Sequence, residues 1–258
     1  MRLPRILPML KAVEKNDKDF TDFCRRDVFG TRIACLYNCY STDYDFVKFW
    51  SQTDENGKII SALSRIDGDV TVSSDCENAE EIFEFLNVVG FRTIQCEKRL
   101  AEQVGAEASI EGYVVEYVKN NNEIAKIQAD KEFRPKEIYG IIKAAGLVGV
   151  GDYLPWLSDT TFRVNRGVTS ALTAQVNGET AACAMKLFTT DCAVLLGAVA
   201  TKPEYRGRGL AGALVTLLAE SEKKKRAELL CKNDSIVEFY KSIGFKVKNE
   251  WSIIINEQ

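Results

Sequence analysis

The sequence contains no histidine, and that absence removes Ser-His-Asp and Cys-His catalysis of the usual kind, together with most zinc arrangements. Any chemistry must therefore use Tyr, Asp, Glu, Lys, Cys or backbone groups. No apolar run approaches the roughly 18 residues of a membrane span. The apolar stretch after Met1-Arg2-Leu3-Pro4 is interrupted by Lys11, Glu14 and Lys15 before it reaches signal-peptide form. No membrane association is expected, and a cytoplasmic location is. A large excess of one charge sign is also missing: the formal net charge is -3 and the basic residues are scattered, which argues against nucleic acid as a partner. The eight cysteines lie far apart. Cys35 and Cys39 are the closest pair, with no second pair of matching spacing, so the cysteines read as reduced thiols and no metal site is expected.

What is present is enough apolar material to fold. Hydrophobic residues make up 46% of the 258 residues and charged residues 28%, which suits a globular α/β chain of one large or two small domains. We expect two, over 1–110 and 111–258. Ser170 to Val176 and Thr180 to Phe188 form a hairpin through Asn177-Gly178, a dipeptide made for a type I′ turn. Cys192 to Thr201 reads as a strand covered on both faces, stopping at Lys202-Pro203. Leu210, Ala213, Leu214, Leu217 and Leu218 repeat at helical spacing, with Lys223-Lys224-Lys225-Arg226 expected at the helix C-terminus. Glu228 to Cys231 is a short strand candidate. Ser235 and Glu238 have capping-box spacing for a helix ending at Gly244, and one or two strands follow over 245–247 and 251–255. Upstream, Tyr139 to Ala145 and Tyr153 to Arg163 are expected helices, joined by the flexible stretch Gly146 to Gly151.

Strands are expected at Phe46 to Thr53, Lys58 to Ile66 and Val70 to Ser73, with turns at Asn56-Gly57 and Asp67-Gly68. The segment Ile82 to Phe91 also echoes Ile236 to Phe245 without a gap: Ile, Glu, Phe, Gly and Phe recur. The echo suggests a helix, glycine cap and strand used twice, the first copy lacking a glycine-rich loop and carrying Leu86 where the second has Tyr240.

The residues Arg206-Gly207-Arg208-Gly209-Leu210-Ala211 open the helix after the central strand. Two glycines there leave the first-turn N–H groups and the positive end of the helix dipole open to a phosphate. Gly207, Gly209 and Gly212 also spell G-x-G-x-x-G, with Asp234 about 20 residues on, so a Rossmann-like nucleotide binder has to be weighed. Against it, Lys202 to Arg206 intervene between strand and glycine, an antiparallel hairpin precedes, and about 50 residues remain. A P-loop is excluded because no Gly-Lys-Ser/Thr follows.

Val199 to Ala211, with its R-x-x-G-x-G/A pattern, resembles the strand and pyrophosphate loop of the GNAT superfamily of N-acetyltransferases. A second motif follows in order: Asn233, then Phe239-Tyr240-Lys241-Ser242-Ile243-Gly244-Phe245. The resemblance implies a mixed, mostly antiparallel sheet with flanking helices and acetyl-CoA as co-substrate. It also implies that a C-terminal catalytic domain follows a degenerate GNAT-like half without a cofactor loop. By the same resemblance, backbone groups of Val199, Ala200 and Thr201 pair with the pantetheine arm, and the N–H groups of Gly207 to Ala211, beside Arg206, hold the pyrophosphate. Asn233 either supports the cofactor arm or starts the next helix. A backbone N–H near Val199 would stabilise the tetrahedral oxyanion, and Tyr240 would protonate the departing thiolate. Tyr240 also has a plain role as a core aromatic.

The general base is not identified, because Cys192 to Val199 carries no carboxylate; Asp152 and Asp159 beside Trp156 are candidates that also suit a helix cap or surface charge. Cys192 and Cys231 lack an activating histidine and read as small core residues. The acceptor is expected to be a small-molecule or peptide amine, bound by Gly146 to Arg166, and a homodimer stays open. Three functions compete: an active N-acetyltransferase, an inactive acyl-CoA-binding regulatory module, and the Rossmann-like nucleotide binder.

Overall fold

The computed structural model of the chain describes residues 10–75, 79–119, 125–147, 150–222 and 224–256. The N-terminal Met1-Arg2-Leu3-Pro4, Val148 and Gly149 of the expected flexible connection, and Lys223 of the basic run lie outside the described residues. The chain divides into two compact units. The described residues through Tyr113 and those from Asn249 onward form the first, and Val114–Lys248 form the second. The expected boundary at 110/111 falls three residues from the first crossing, and the C-terminal tail joins the first unit.

In chain order the elements begin with β1 (Leu10–Ala12), α1 (Lys18–Phe23), α2 (Val28–Tyr40), β2 (Val47–Thr53), β3 (Ile59–Ile66) and β4 (Asp69–Ser74). Next come α3 (Glu80–Val89), β5 (Thr93–Glu97), α4 (Lys98–Gln103), β6 (Ile110–Tyr117), β7 (Gln128–Asp130), α5 (Pro135–Ala144) and α6 (Tyr153–Asn165). The series ends with β8 (Ser170–Val176), β9 (Glu179–Thr189), β10 (Ala193–Thr201), α7 (Leu210–Glu220), β11 (Arg226–Cys231), α8 (Asp234–Ser242) and β12 (Phe245–Ile255).

Within the first unit the strand order is β1-β2-β3-β4-β5-β12, where β12 contributes its last residues, Trp251 pairing with Glu97 and Ile255 with Thr93. The β2-β3-β4 meander turns at Asp67-Gly68, both with positive φ (47° and 89°) as a type I′ turn requires. Helix α2 starts where the Asp27 carboxylate accepts the Gly30 N–H at 2.7 Å. Helix α3 then lays Ile82 and Leu86 over Leu63, Val72 and Ile94, all fully buried.

Within the second unit the order is β6-β11-β10-β9-β8-β7. The β8–β9 hairpin turns through Asn177 (φ 52°) and Gly178 (φ 80°), as expected from the dipeptide. Ile138, Ile141 and Ile142 of α5 pack on Ala171, Cys183, Met185 and Ala200, and α7 packs on β8, β9 and β10. Of the strand pairings with a defined register, only β4–β5 and β10–β11 are parallel. The fold is thus mixed α/β and mostly antiparallel.

Three local expectations need correction. Helix α7 stops at Glu220, capped by Ser221, so the basic run does not end it: Lys225 pairs with Glu222 at 2.9 Å and Arg226 already opens β11. Helix α8 is capped by Asn233, which accepts the Ile236 N–H at 3.0 Å, while Ser235 only donates to Asn233 at 2.8 Å. The Ile82–Phe91 echo is out of step: α3 is the crossover between parallel strands β4 and β5, which in the second unit is α7, not α8. Amphipathic helices of like length share a pattern whatever their place in the topology.

Candidate functional site

The site begins with a fault in β10. Gly197 pairs with Met185 and Ala200 with Cys183, so Ala198 and Val199 together face the single residue Ala184. This is a β-bulge, and Ala198 takes φ 48°, which a residue with a side chain rarely adopts. On its other edge β10 pairs with β11 only from Ala193↔Arg226 to Leu196↔Leu229. Beyond that point both strands continue without paired register, β10 to Thr201 and β11 to Cys231. The bulge bends β10 just where the pairing ends.

A cavity of about 780 Å³ fills the opening. Its walls are Gly197 to Thr201, Tyr205 to Gly212 and Leu229 to Lys232, with Ala145 to Leu147, Ile236, Phe239 and Tyr240. Of the residues singled out in the sequence, Val199, Ala200, Thr201, Arg206, Gly207, Arg208, Gly209, Leu210, Ala211 and Tyr240 all line this one space. Asn233 does not; its side chain is engaged as the cap of α8.

The loop has the conformation its glycines allow. Gly207 (φ 77°) and Gly209 (φ 72°) are left-handed, and a Cβ on Gly209 would also come within 3.1 Å of the Ala125 Cβ. Gly209 is the N-cap of α7 without a side-chain cap, and the first helical N–H to find its partner is that of Ala213, on the Gly209 carbonyl at 3.0 Å. The N–H groups ahead of it face the cavity end of the dipole. No acidic residue stands in the first turn of α7. The charged residues lining the cavity are Arg206, Arg208 and Lys232, all cations. Arg208 lies 5.3 Å from the Tyr205 ring centroid, and Tyr205 donates to Glu179 at 2.7 Å, which also pairs with Lys202. These contacts anchor the corner between strand and loop.

Tyr240 forms part of the cavity wall. It is buried, with edge-on rings of Phe239 at 5.1 Å and Phe245 at 5.3 Å. Burial first, and then the neighbouring Cys231 thiol, push its phenol well above the ordinary value. At neutral pH the phenol keeps its proton.

The proposed bases lie elsewhere. Asp152 occupies the N-cap of α6 without a cap bond. Asp159 holds Arg163 at 2.6 Å, and Arg163 in turn donates to Thr169 at 3.1 Å and to the Leu187 carbonyl at 2.9 Å. Neither aspartate lines the cavity. Cys192 sits beside Thr190, whereas Cys231 is buried in the cavity wall. Sequence reasoning assigned no role to Lys232, quoted Phe239 only within the second motif, and took Glu228, a carboxylate inside the otherwise apolar run 227–231, only as the start of a strand. Glu228 is 1% exposed, paired with Lys248 at 3.3 Å, and faces Leu195 one step before the strands part. Burial raises its pKa. Among the described residues no group of three or more Cys, Asp or Glu could hold a metal ion, and no helix is long and apolar enough to cross a membrane.

Residues 168–247 match the family profile described as Acetyltransferase (GNAT) domain. Among curated proteins none matches the chain by sequence. Solved structures do match over nearly its whole length. The GCN5-related N-acetyltransferase from Sphaerobacter thermophilus aligns with TM-score 0.57 and 14% identity, covering 95% of this chain and 94% of that one. A tandem GNAT protein from the clavulanic acid biosynthesis pathway aligns with TM-score 0.59 and 14% identity, over 95% and 97%. A GNAT-family acetyltransferase from Colwellia psychrerythraea gives 0.55 and 12%, over 96% and 100%. The chain has the fold of these proteins, and within it residues 168–247 are the part that matches the GNAT acetyltransferase domain profile.

Proposed function

We propose that the protein transfers an acetyl group from acetyl-CoA to a primary amine by direct attack in a ternary complex. The observation that carries this reading is the cavity between the parted strands β10 and β11. Its lining brings together a glycine-rich, cation-flanked helix N-terminus and a buried phenol. Polyanionic phosphates suit the first, and the second is an acid that stays protonated at neutral pH.

The N–H groups of Gly207 to Ala211 hold the pyrophosphate, with Arg206 and Arg208 beside them. The backbone edge of Val199, Ala200 and Thr201, beyond the last residue paired with β11, takes the amides of the pantetheine arm. A backbone N–H at Val199 stabilises the oxygen that gains charge as the amine nitrogen bonds to the acyl carbon. When the carbon–sulfur bond breaks, Tyr240 gives its proton to the sulfur and is restored from solvent. The amine sheds one proton outside the groups that line the cavity. The acceptor, a small molecule or a peptide, enters beside Ala145 to Leu147. The first unit is a non-catalytic GNAT-like half, a reading supported by the near-complete overlap with a tandem GNAT protein.

A second reading rests on the absence of a carboxylate among the lining residues described: a module that binds acyl-CoA without turnover. Calorimetric titration with acetyl-CoA, followed by CoA thiol release against a panel of primary amines, separates the two. Binding with thiol release is expected. Binding without release under every amine favours the module, and a folded protein with no affinity for acetyl-CoA overturns both.

A further inference from the structure

An N–H that stabilises an oxyanion has to be held in direction, and the bulge at Ala198-Val199 is otherwise the least regular part of β10. We propose that Cys183 is the positioning residue that aims the Val199 N–H into the cleft; this rests on the acyl-transfer reading above. Cys183 lies on β9 opposite Ala200 and is fully buried. Its thiol donates to the Ala198 carbonyl at 3.4 Å, and the same sulfur takes a backbone hydrogen bond from Ala200. One side chain therefore ties the residues before and after Val199. In a trans peptide the carbonyl and the following N–H point in opposite directions. Drawing the Ala198 carbonyl toward the Cys183 sulfur thus turns the Val199 N–H away from it, toward the side where β11 has parted. Burial pushes the thiol up to about 12, so it remains a donor throughout the neutral range. Ala198 holds φ 48° without being glycine, and a second tie on its carbonyl is what such a conformation needs.

Cys183→Ala and Cys183→Ser separate this role from simple packing. Cys183→Ala should lower kcat by about tenfold with the acetyl-CoA Kd and KM within about twofold, because the lost group acts on charge that develops only in the transition state. Cys183→Ser, which keeps a donor, should recover kcat to within about threefold of the parent. The Val199 amide resonance should move in Cys183→Ala and return toward its parental position in Cys183→Ser. A parental kcat in Cys183→Ala, a Ser variant no better than Ala, or an unmoved Val199 amide overturns the assignment. If the parent protein binds acetyl-CoA but acylates no amine, it is the acyl-transfer reading that fails. The amide resonance still decides whether Cys183 sets the Val199 direction.

Discussion

The two units use the same device and finish it differently. In each, an antiparallel meander feeds a crossover helix into a parallel strand, α3 between β4 and β5, α7 between β10 and β11. In each, the parallel pairing stops early, after Thr71↔Gln95 in the first unit and Leu196↔Leu229 in the second. Beyond that point they diverge. Strand β4 is paired regularly with β3 through Ser74, whereas β10 bulges against β9. In the first unit Arg99 of α4 ties the two strands together, donating to the Ser74 carbonyl of β4 at 2.7 Å and to the Glu97 carboxylate of β5 at 2.8 Å. Helix α3 opens with Glu80 and Glu81, where α7 has no acid. An anion at the start of α3 would meet two carboxylates at the positive end of the dipole. A shared topology thus ends both parallel pairings early; only the second unit adds a bulge, a pair of left-handed glycines and cations where the first has carboxylates.

The strongest way to break this contrast is to spoil the second unit's loop. Gly209→Val places a β-branched residue at φ 72° and a Cβ against Ala125. Calorimetry should show the acetyl-CoA affinity weakened by roughly 100-fold, about 2.8 kcal/mol. Arg99→Ala in the first unit should leave affinity and stoichiometry unchanged, because Glu80 and Glu81 remain. A second bound acetyl-CoA in that variant would show that the arginine alone keeps the first unit closed. The contrast is sharpened by Tyr240→Phe, which removes only the hydroxyl from the buried aromatic in the second unit's cavity wall. Turnover should fall by about 10²-fold with KM nearly unchanged, and an unaltered kcat would return Tyr240 to the core alone.

The smallest effect concerns pH. Burial raises the Glu228 carboxyl above its ordinary 4.5, against the lowering effects of Arg226 and Lys248. Its contribution to stability is therefore complete below that ordinary value and is lost as pH rises through the folded one. Asp69 has the opposite sense. Burial pulls its pKa up, but the Arg92 guanidinium and Thr93 hydroxyl outweigh that and lower it below 3.8. Its contribution is present above that value and lost as pH falls through the folded one. From about pH 5 to about pH 8 the Tm of Glu228→Gln should gain on the parent by a few degrees. Over the same interval Asp69→Asn should show a steady deficit that closes only in acid. Parallel pH profiles for the two variants would erase the distinction.

Much of this was legible in the chain itself. Asn177-Gly178 and Asp67-Gly68 named their turns because only left-handed central residues match the strand twist. Gly207 and Gly209 marked the left-handed loop that opens α7 for the same conformational reason, and the motif at Phe239 to Phe245 marked the helix that carries Tyr240. These are local signals, carried by backbone preference and short periodicity. Tertiary structure alone decided the rest. It set the bulge at Ala198, where no glycine marks a positive φ, and the early end of the β10–β11 pairing that opens the cavity. It committed Asn233 to a helix cap, buried Glu228 beside Lys248, and sent the last residues of β12 to the first unit. Each of these depends on what lies across the sheet or against the strand, and spacing along the chain does not encode such neighbours.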